Sequence, residues 1–335
     1  MNSARWRLLI GLLLAACLLL LLGLATGSEG LSWAAWQRDS AAGQLGFIVG
    51  EIRAPRSLGA LFVGALLGLA GAIAQGVFRN PLADPYVLGA AAGASLGVVL
   101  VLAAGTLAGY MMSLATAAWL ERAGLVAAAF VGSLSGVFLT LLLARGAQHT
   151  LRLLLAGVVV AVFLGALNDG LTQLAPEALR GKQAFLLGST AYVGWTGVSL
   201  LAMGLGLALL PAMRMARALD ALTLGEDSAR SLGLPLQQVR LLLVGLLALC
   251  TGLAVSQAGL IAFVGLVAPH VVRRLAPAPH AFLLAASALT GGVLLLAADV
   301  AARALLAPQE LPVGILTGVL GGGYLVWLLN RRGWQ

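Results

Sequence analysis

The stretch Gly76-Val77-Phe78-Arg79-Asn80-Pro81-Leu82-Ala83-Asp84-Pro85-Tyr86-Val87-Leu88-Gly89 interrupts two long apolar runs with two prolines four residues apart. Each proline lacks a backbone donor and turns the residue before it away from helix. The stretch therefore reads as a rigid turn between two helices. The flanking runs, 57–77 and 86–104, are each close to the ~20 residues needed to cross a hydrocarbon layer of about 30 Å.

Working outward from this turn, further runs of the same kind cover 8–27, 123–144, 151–173, 193–213, 237–256, 258–275, 281–303 and 312–330. The expected fold is an all-α polytopic membrane protein of about ten transmembrane helices, the eighth the shortest. Composition agrees: 61% of residues are hydrophobic and 10% charged, with mean hydropathy +1.01, whereas a soluble domain carries about 25% charged residues. Arg5 and Arg7 before a leucine-rich run suggest a signal peptide. The apolar run from Leu8 to Ala25 is long for one, and Ala25-Thr26-Gly27 is a poor cleavage site, so it reads as a retained first helix.

Net charge is +8, but the positive residues sit in short loops between apolar runs and so read as topology, not as nucleic-acid recognition. With the N-terminus inside, the inner segments hold Arg5, Arg7, Arg79, Arg145, Arg152, Arg214, Arg217, Arg230, Arg240, Arg273, Arg274, Arg331 and Arg332. The outer ones hold Arg38, Arg53, Arg56, Arg122, Arg180, Lys182 and Arg303. The bias favours both termini in the cytoplasm. Residues 28–52, with Trp33 and Trp36, read as an interfacial helix on the outer surface, and 174–190 and 304–311 as outer connections.

Small residues recur every four positions at Ala60, Gly64, Gly68, Ala72 and Gly76, at Gly89, Gly93 and Gly97, and at Gly314, Gly318 and Gly322. In lipid, such stripes let helix backbones approach closely. Cys17 and Cys250 lie inside apolar runs and read as fillers, not as a disulfide or metal pair.

Several chemistries are excluded or unsupported. The single lysine, Lys182, stands in no phosphate-cradling Gly-x-x-x-x-Gly-Lys-Ser/Thr loop, so any ATP is bound by another chain. His149, His270 and His280 have no metal-ligand spacing, and no nucleophile elbow is present. Neither a catalytic nor a metal site is expected. Asp169 and Asp299 fall near outer helix ends, where water is expected to reach them, leaving no midplane acid for an ion-coupled carrier. A membrane enzyme and an ion-coupled secondary transporter are the rival classes. Transport driven by a proton or sodium gradient without any ATPase would favour the latter.

The resemblance becomes specific at these residues. Arg79 to Pro85 is similar to the "RNPLADP" signature of the FecCD/BtuC-type permeases for iron-siderophore, haem and cobalamin uptake. Ile52-Arg53-Ala54-Pro55-Arg56-Ser57-Leu58 resembles the family's "xRxPR" entry to helix two, and Leu153-Leu154-Leu155-Ala156-Gly157 its fifth helix. The segment from Leu224 to Leu234 resembles its large cytoplasmic loop, Ile261 to His270 its "IGFVGLxxPH", and Glu310-Leu311-Pro312-Val313-Gly314 its "ELPxG". The six matches run in order over nearly the whole chain. A departure is Gly323-Tyr324, where the family often has proline and an aromatic.

The resemblance implies one permease domain over 1–335, with inverted repeat halves at about 57–173 and 237–330. It implies two permease copies around one pore, two ATPase subunits beneath, and a periplasmic binding protein above, all in a bacterial inner membrane. The chain itself would bind no cofactor, ATP and magnesium belonging to the ATPase. Within the inner connection 214–236, Pro211 ends helix six, and Gly225 and Gly233 bracket a short helix begun by Glu226 and Asp227. Leu224, Gly225, Glu226, Asp227, Ala229, Arg230, Ser231, Leu232 and Gly233 would form the ATPase-coupling element. Asn80, Leu82, His149 and Thr150 match the cytoplasmic gate, and Arg53, Arg56 and Arg303 the docking positions for the binding protein. The family's cargo is a large chelate, an iron chelate by preference with cobalamin as the alternative.

Overall fold

A computed structural model of the chain describes residues 3–27, 30–31, 33–107, 114–147 and 149–330. Arg331 and Arg332, counted above toward an inner C-terminus, lie outside the described residues. Among the described residues the fold is helical, with one isolated antiparallel bridge between Gly27 and Gly30. The helices are α1 (Ser3–Ala25), α2 (Trp33–Ala41), α3 (Leu45–Phe47), α4 (Ala54–Phe78), α5 (Ala90–Leu107), α6 (Leu114–Leu143), α7 (Thr150–Leu174) and α8 (Ala178–Leu187). They continue as α9 (Trp195–Arg214), α10 (Ala216–Thr223), α11 (Glu226–Ser231), α12 (Leu236–Ala258), α13 (Val264–Leu275), α14 (His280–Ala304) and α15 (Val313–Asn330).

All ten apolar runs are helical over most of their length. The helices through 3–25, 45–78, 123–143, 150–174, 195–214, 236–258 and 280–304 are long and apolar enough to cross a membrane, and α5 and α15 are shorter apolar helices. Pro55 lies inside a helical path that is continuous from Leu45 to Phe78. It is accommodated because Ile48–Arg53 is wound as π-helix, which relieves the clash of a proline ring with the preceding turn. Pro211, expected to end its helix, does not. It sits in the last turn of α9, which runs on to Arg214.

The third and eighth spans begin later than their apolar runs, for a shared reason. Asp84 caps a short 3₁₀ turn, Pro85–Leu88, and Gly89 at φ 82° ends it, so α5 starts at Ala90. Gly259 (φ 68°) and Phe263 (φ 67°) keep 259–263 out of helix, so α13 has 12 residues and a length of about 18 Å. The two interruptions meet: the Tyr86 hydroxyl donates to the Ile261 carbonyl at 3.3 Å, and a Cβ added to Gly265 would stand 2.6 Å from Pro85 Cγ. Irregular backbone is tolerated at membrane depth when protein surrounds it.

Helix α4 is the axis of the bundle. Of its apolar window 83% is buried, against 11% for α1. It packs along α14, α12 and α13, while α5 packs along α6. The glycine stripes make these contacts: Gly64 and Gly68 abut the backbone of Gly291 and Ser287, and Gly93 and Gly97 abut that of Gly132 and Ala128. The third stripe behaves differently. Gly314 abuts Leu187, but Gly318 has nothing within 4 Å, and Val319, Leu320 and Val326 beside it are exposed.

Candidate functional site

The inner face carries the first candidate site, built around the short helix α11. Gly225 at φ 109° and ψ 157° is in a conformation open essentially to glycine, and it delivers the chain to Glu226. Gly233 at φ 78° turns it away again. Glu226 and Asp227 occupy the first turn, where the helix dipole favours negative charge. The bracketed acidic helix read from the sequence is therefore present. Leu224, Asp227, Arg230, Ser231, Leu232 and Gly233 are exposed, whereas Ala229 is fully buried beneath them.

Glu226 is the junction of this face. Its Oε1 receives Arg240 Nη2 at 2.6 Å, lies 3.6 Å from Arg79 Nη2, and accepts from Thr150 Oγ1 at 3.4 Å. Arg240 is fully buried in the inner turn of α12, Arg79 caps α4, and Thr150 opens α7. Burial works to raise the Glu226 carboxyl. The hydrogen bond and charge of Arg240 oppose that, helped by Arg79 and Thr150, and the net result lies below its ordinary range.

The expected gate residues are placed as follows. Asn80 is exposed, and its Oδ1 accepts from the Leu82 amide at 2.9 Å, closing the turn locally. Leu82 is half-buried. His149 is exposed at the start of α7, with no capping bond from its side chain. Thr150 alone of the four reaches the coupling helix. A second inner contact was not anticipated: Asp220 of α10 accepts from the His280 amide at 3.0 Å and faces His280 Nδ1 at 2.7 Å, fastening α10 to the start of α14.

At the outer ends of α4 and α14 the structure corrects two expectations. Asp299 is not reached by water but wholly buried, and Arg53, Arg56 and Arg303 are not free charges, being at most 9% exposed. Arg56 Nε meets Asp299 Oδ1 at 3.1 Å and its Nη1 meets Glu310 Oε2 at 2.7 Å. Arg303 Nη2 donates to Asp299 Oδ2 at 2.6 Å and to Ser57 Oγ at 3.2 Å, while Nη1 donates to the carbonyls of Gly23 and Thr26. Thr190 Oγ1 completes the shell of Asp299 at 2.6 Å. Arg53 donates to the carbonyls of Leu24 and Ala25. At this depth an unpaired charge is expensive, so the arginines are spent on holding α1, α4 and α14 together.

Sequence reasoning missed Arg240, Asp220 and Glu310 as members of these clusters. Their partners lie 14, 60 and 254 residues away, at separations that no local pattern signals. Among the described residues no group of three or more metal-ligating side chains converges.

Comparison with known proteins agrees with this architecture. The model of the FecCD transport family matches residues 12–331. The chain is 37% identical over 329 residues to the hemin transport system permease protein HmuU of Yersinia pestis, covering 97% of this chain and 96% of that one. It is 38% identical over 337 residues to the vitamin B12 import system permease protein BtuC of Klebsiella pneumoniae, covering 98% and 95%. A solved structure titled as an inward-facing conformation of a metal-chelate type ABC transporter superposes with a TM-score of 0.83 at 28% identity, covering 97% of this chain and 99% of that one. The chain thus belongs to the FecCD transport family and is the multi-pass permease subunit of an ABC importer, a transport protein and not itself an enzyme.

Proposed function

We propose that this permease carries an iron chelate, haem or a ferric siderophore, from periplasm to cytoplasm, as one domain whose inverted halves span about 57–173 and 237–330. The reading is supported by the likeness to a hemin permease and to a metal-chelate type transporter. Both termini are cytoplasmic in this reading. A second copy of the chain completes the pore, for which the uncovered glycine at Gly318 and the exposed apolar faces of α7 and α15 argue.

The observation that carries the mechanism is the single carboxylate of Glu226, which joins α11 to the ends of α4, α7 and α12. Residues 224–233 present α11 to a partner ATPase, which binds ATP and magnesium. Closure of that ATPase moves α11, and the gate formed by Asn80, Leu82, His149 and Thr150 moves with it as a rigid-body consequence. Outside, the binding protein docks on the lip that Arg53, Arg56 and Arg303 shape through their contacts with α1, Asp299 and Glu310.

The test is uptake by proteoliposomes holding the permease with its cognate ATPase, supplied with cognate binding protein loaded with haem, ferric siderophore or cobalamin. ATP-dependent uptake of an iron chelate is expected, and uptake of cobalamin alone would replace that substrate. Cobalamin remains the second reading because the identity to a vitamin B12 permease is as high, at 38%.

A further inference from the structure

The turn that leaves α4 is made by an unsuitable residue. Arg79 has φ 50° and ψ 35°, the left-handed conformation in which helices commonly end on glycine or asparagine. For any other residue the Cβ crowds the backbone there. A strained position held by a non-glycine residue calls for a reason in what its side chain does. Here the guanidinium, 39% exposed, reaches Glu226 at 3.6 Å.

The two contacts of Glu226 with arginine differ in kind. Arg240 is fully buried and 2.6 Å away, a fixed pair that sets where the carboxylate sits. Arg79 is looser and belongs to the turn 79–89, which continues through the 3₁₀ segment to the Tyr86 hydroxyl on Ile261 and Pro85 beside Gly265. A displacement of α11 therefore has a physical route: Glu226, Arg79, the gate turn, and the interrupted start of α13.

We propose that the Arg79–Glu226 pair is the tie by which α11 moves the gate turn, with Arg240 as the residue that positions Glu226. The proposal rests on the reading of 224–233 as the ATPase-coupling element. Arg79 is argued to act through Glu226, which makes it a positioning residue.

The test uses the assembled complex of permease, ATPase and loaded binding protein in proteoliposomes. Arg79→Asn removes the guanidinium while putting a residue suited to left-handed backbone at the cap. Its thermal midpoint is expected to equal or exceed the parent's, and hydrolysis by the ATPase to continue. Chelate uptake per ATP is expected to fall about 5-fold or more, the range of a coupling interaction, and Arg79→Lys, which keeps a positive charge, to recover most of it. Uptake per ATP at the parent level in Arg79→Asn would overturn the proposal, as would a loss of uptake matched by a loss of thermal stability. Glu226→Gln replaces the carboxylate that meets both arginines with a neutral amide, so it serves as the second background. Adding Arg79→Asn to it is expected to cost nothing further, and a full additional loss would show that Arg79 acts elsewhere. Leu232→Glu, on the exposed face of α11, separates the underlying reading: unchanged ATPase binding in that variant would sink the coupling element itself, whatever Arg79 does.

Discussion

Arg303 reaches back one helical turn to Asp299, its Nη2 2.6 Å from Oδ2, and neither side chain is more than 2% exposed. The same carboxylate takes Arg56 and Thr190 on its other oxygen. The outer end of the bundle is thus fastened by a pair of arginines around one acid, with Glu310 closing the cluster toward water at 31% exposure.

Asp299→Asn should be strongly destabilising, because it leaves the buried Arg303 guanidinium with a neutral partner and takes from Arg56 one of its two carboxylates. Breaking a buried pair from one side costs about 3–5 kcal/mol. Glu310→Gln should cost far less, since its carboxylate is partly solvated and such pairs are worth about 0–1 kcal/mol. Thermal unfolding of the purified permease in detergent measures both. Equal midpoints for the two variants would mean that the cluster is not organised around Asp299.

Gly71→Ala should separate α4 from α13, because the added Cβ would collide with the carbonyl of Gly265, a backbone atom that cannot rotate away. Overpacking of this kind costs about 1–3 kcal/mol. Gly245→Ala, with nothing within 4 Å of the new methyl, should leave the midpoint unchanged or slightly raised. The comparison is a thermal scan of the two single variants.

Gly233→Pro should abolish coupled uptake without emptying the membrane of protein. The Gly233 amide donates to the Arg230 carbonyl at 2.9 Å, and its φ of 78° is closed to proline. Uptake falls while the amount in the membrane, read by immunoblot, stays at the parent level. Normal uptake would remove α11 from the mechanism.

The contribution of the Glu226 cluster should be independent of pH across the neutral range. Its folded carboxyl is held below the unfolded value by Arg240, Arg79 and Thr150 against the effect of burial. The stabilisation is therefore complete above the unfolded value, about 4.3, and is lost as pH falls through the lower folded one. The difference in thermal midpoint between parent and Glu226→Gln should be constant from about pH 5.5 to 8 and shrink only in acid. A difference that changes near neutrality would assign the titration to another group.

The purified permease should hydrolyse no ATP by itself, since no phosphate-binding loop exists in the chain. Release of phosphate by a preparation free of ATPase subunits would contradict this. Adding the cognate ATPase should restore hydrolysis and its stimulation by loaded binding protein.

The sequence by itself determined the number and order of the apolar helices, because each must be long enough for the bilayer and its length is written locally. It also marked the breaks around Pro81 and Pro85 and at Gly225 and Gly233, because proline and glycine act on their own backbone, although Pro55 and Pro211 lie inside helix. Helix packing through Gly64, Gly68, Gly93 and Gly97 was legible for the same reason, as a period of four along one chain. Only the tertiary structure decided which charges are free. Arg53, Arg56 and Arg303 look alike in sequence to any outer arginine, yet Asp299 lies 243 residues from Arg56 and Gly23 lies 280 from Arg303. Likewise Arg240 read as a topology marker until folding set it against Glu226. Apart from Arg303 and Asp299, four residues apart on α14, these pairings depend on distances between segments remote in the chain, and no local pattern carries them.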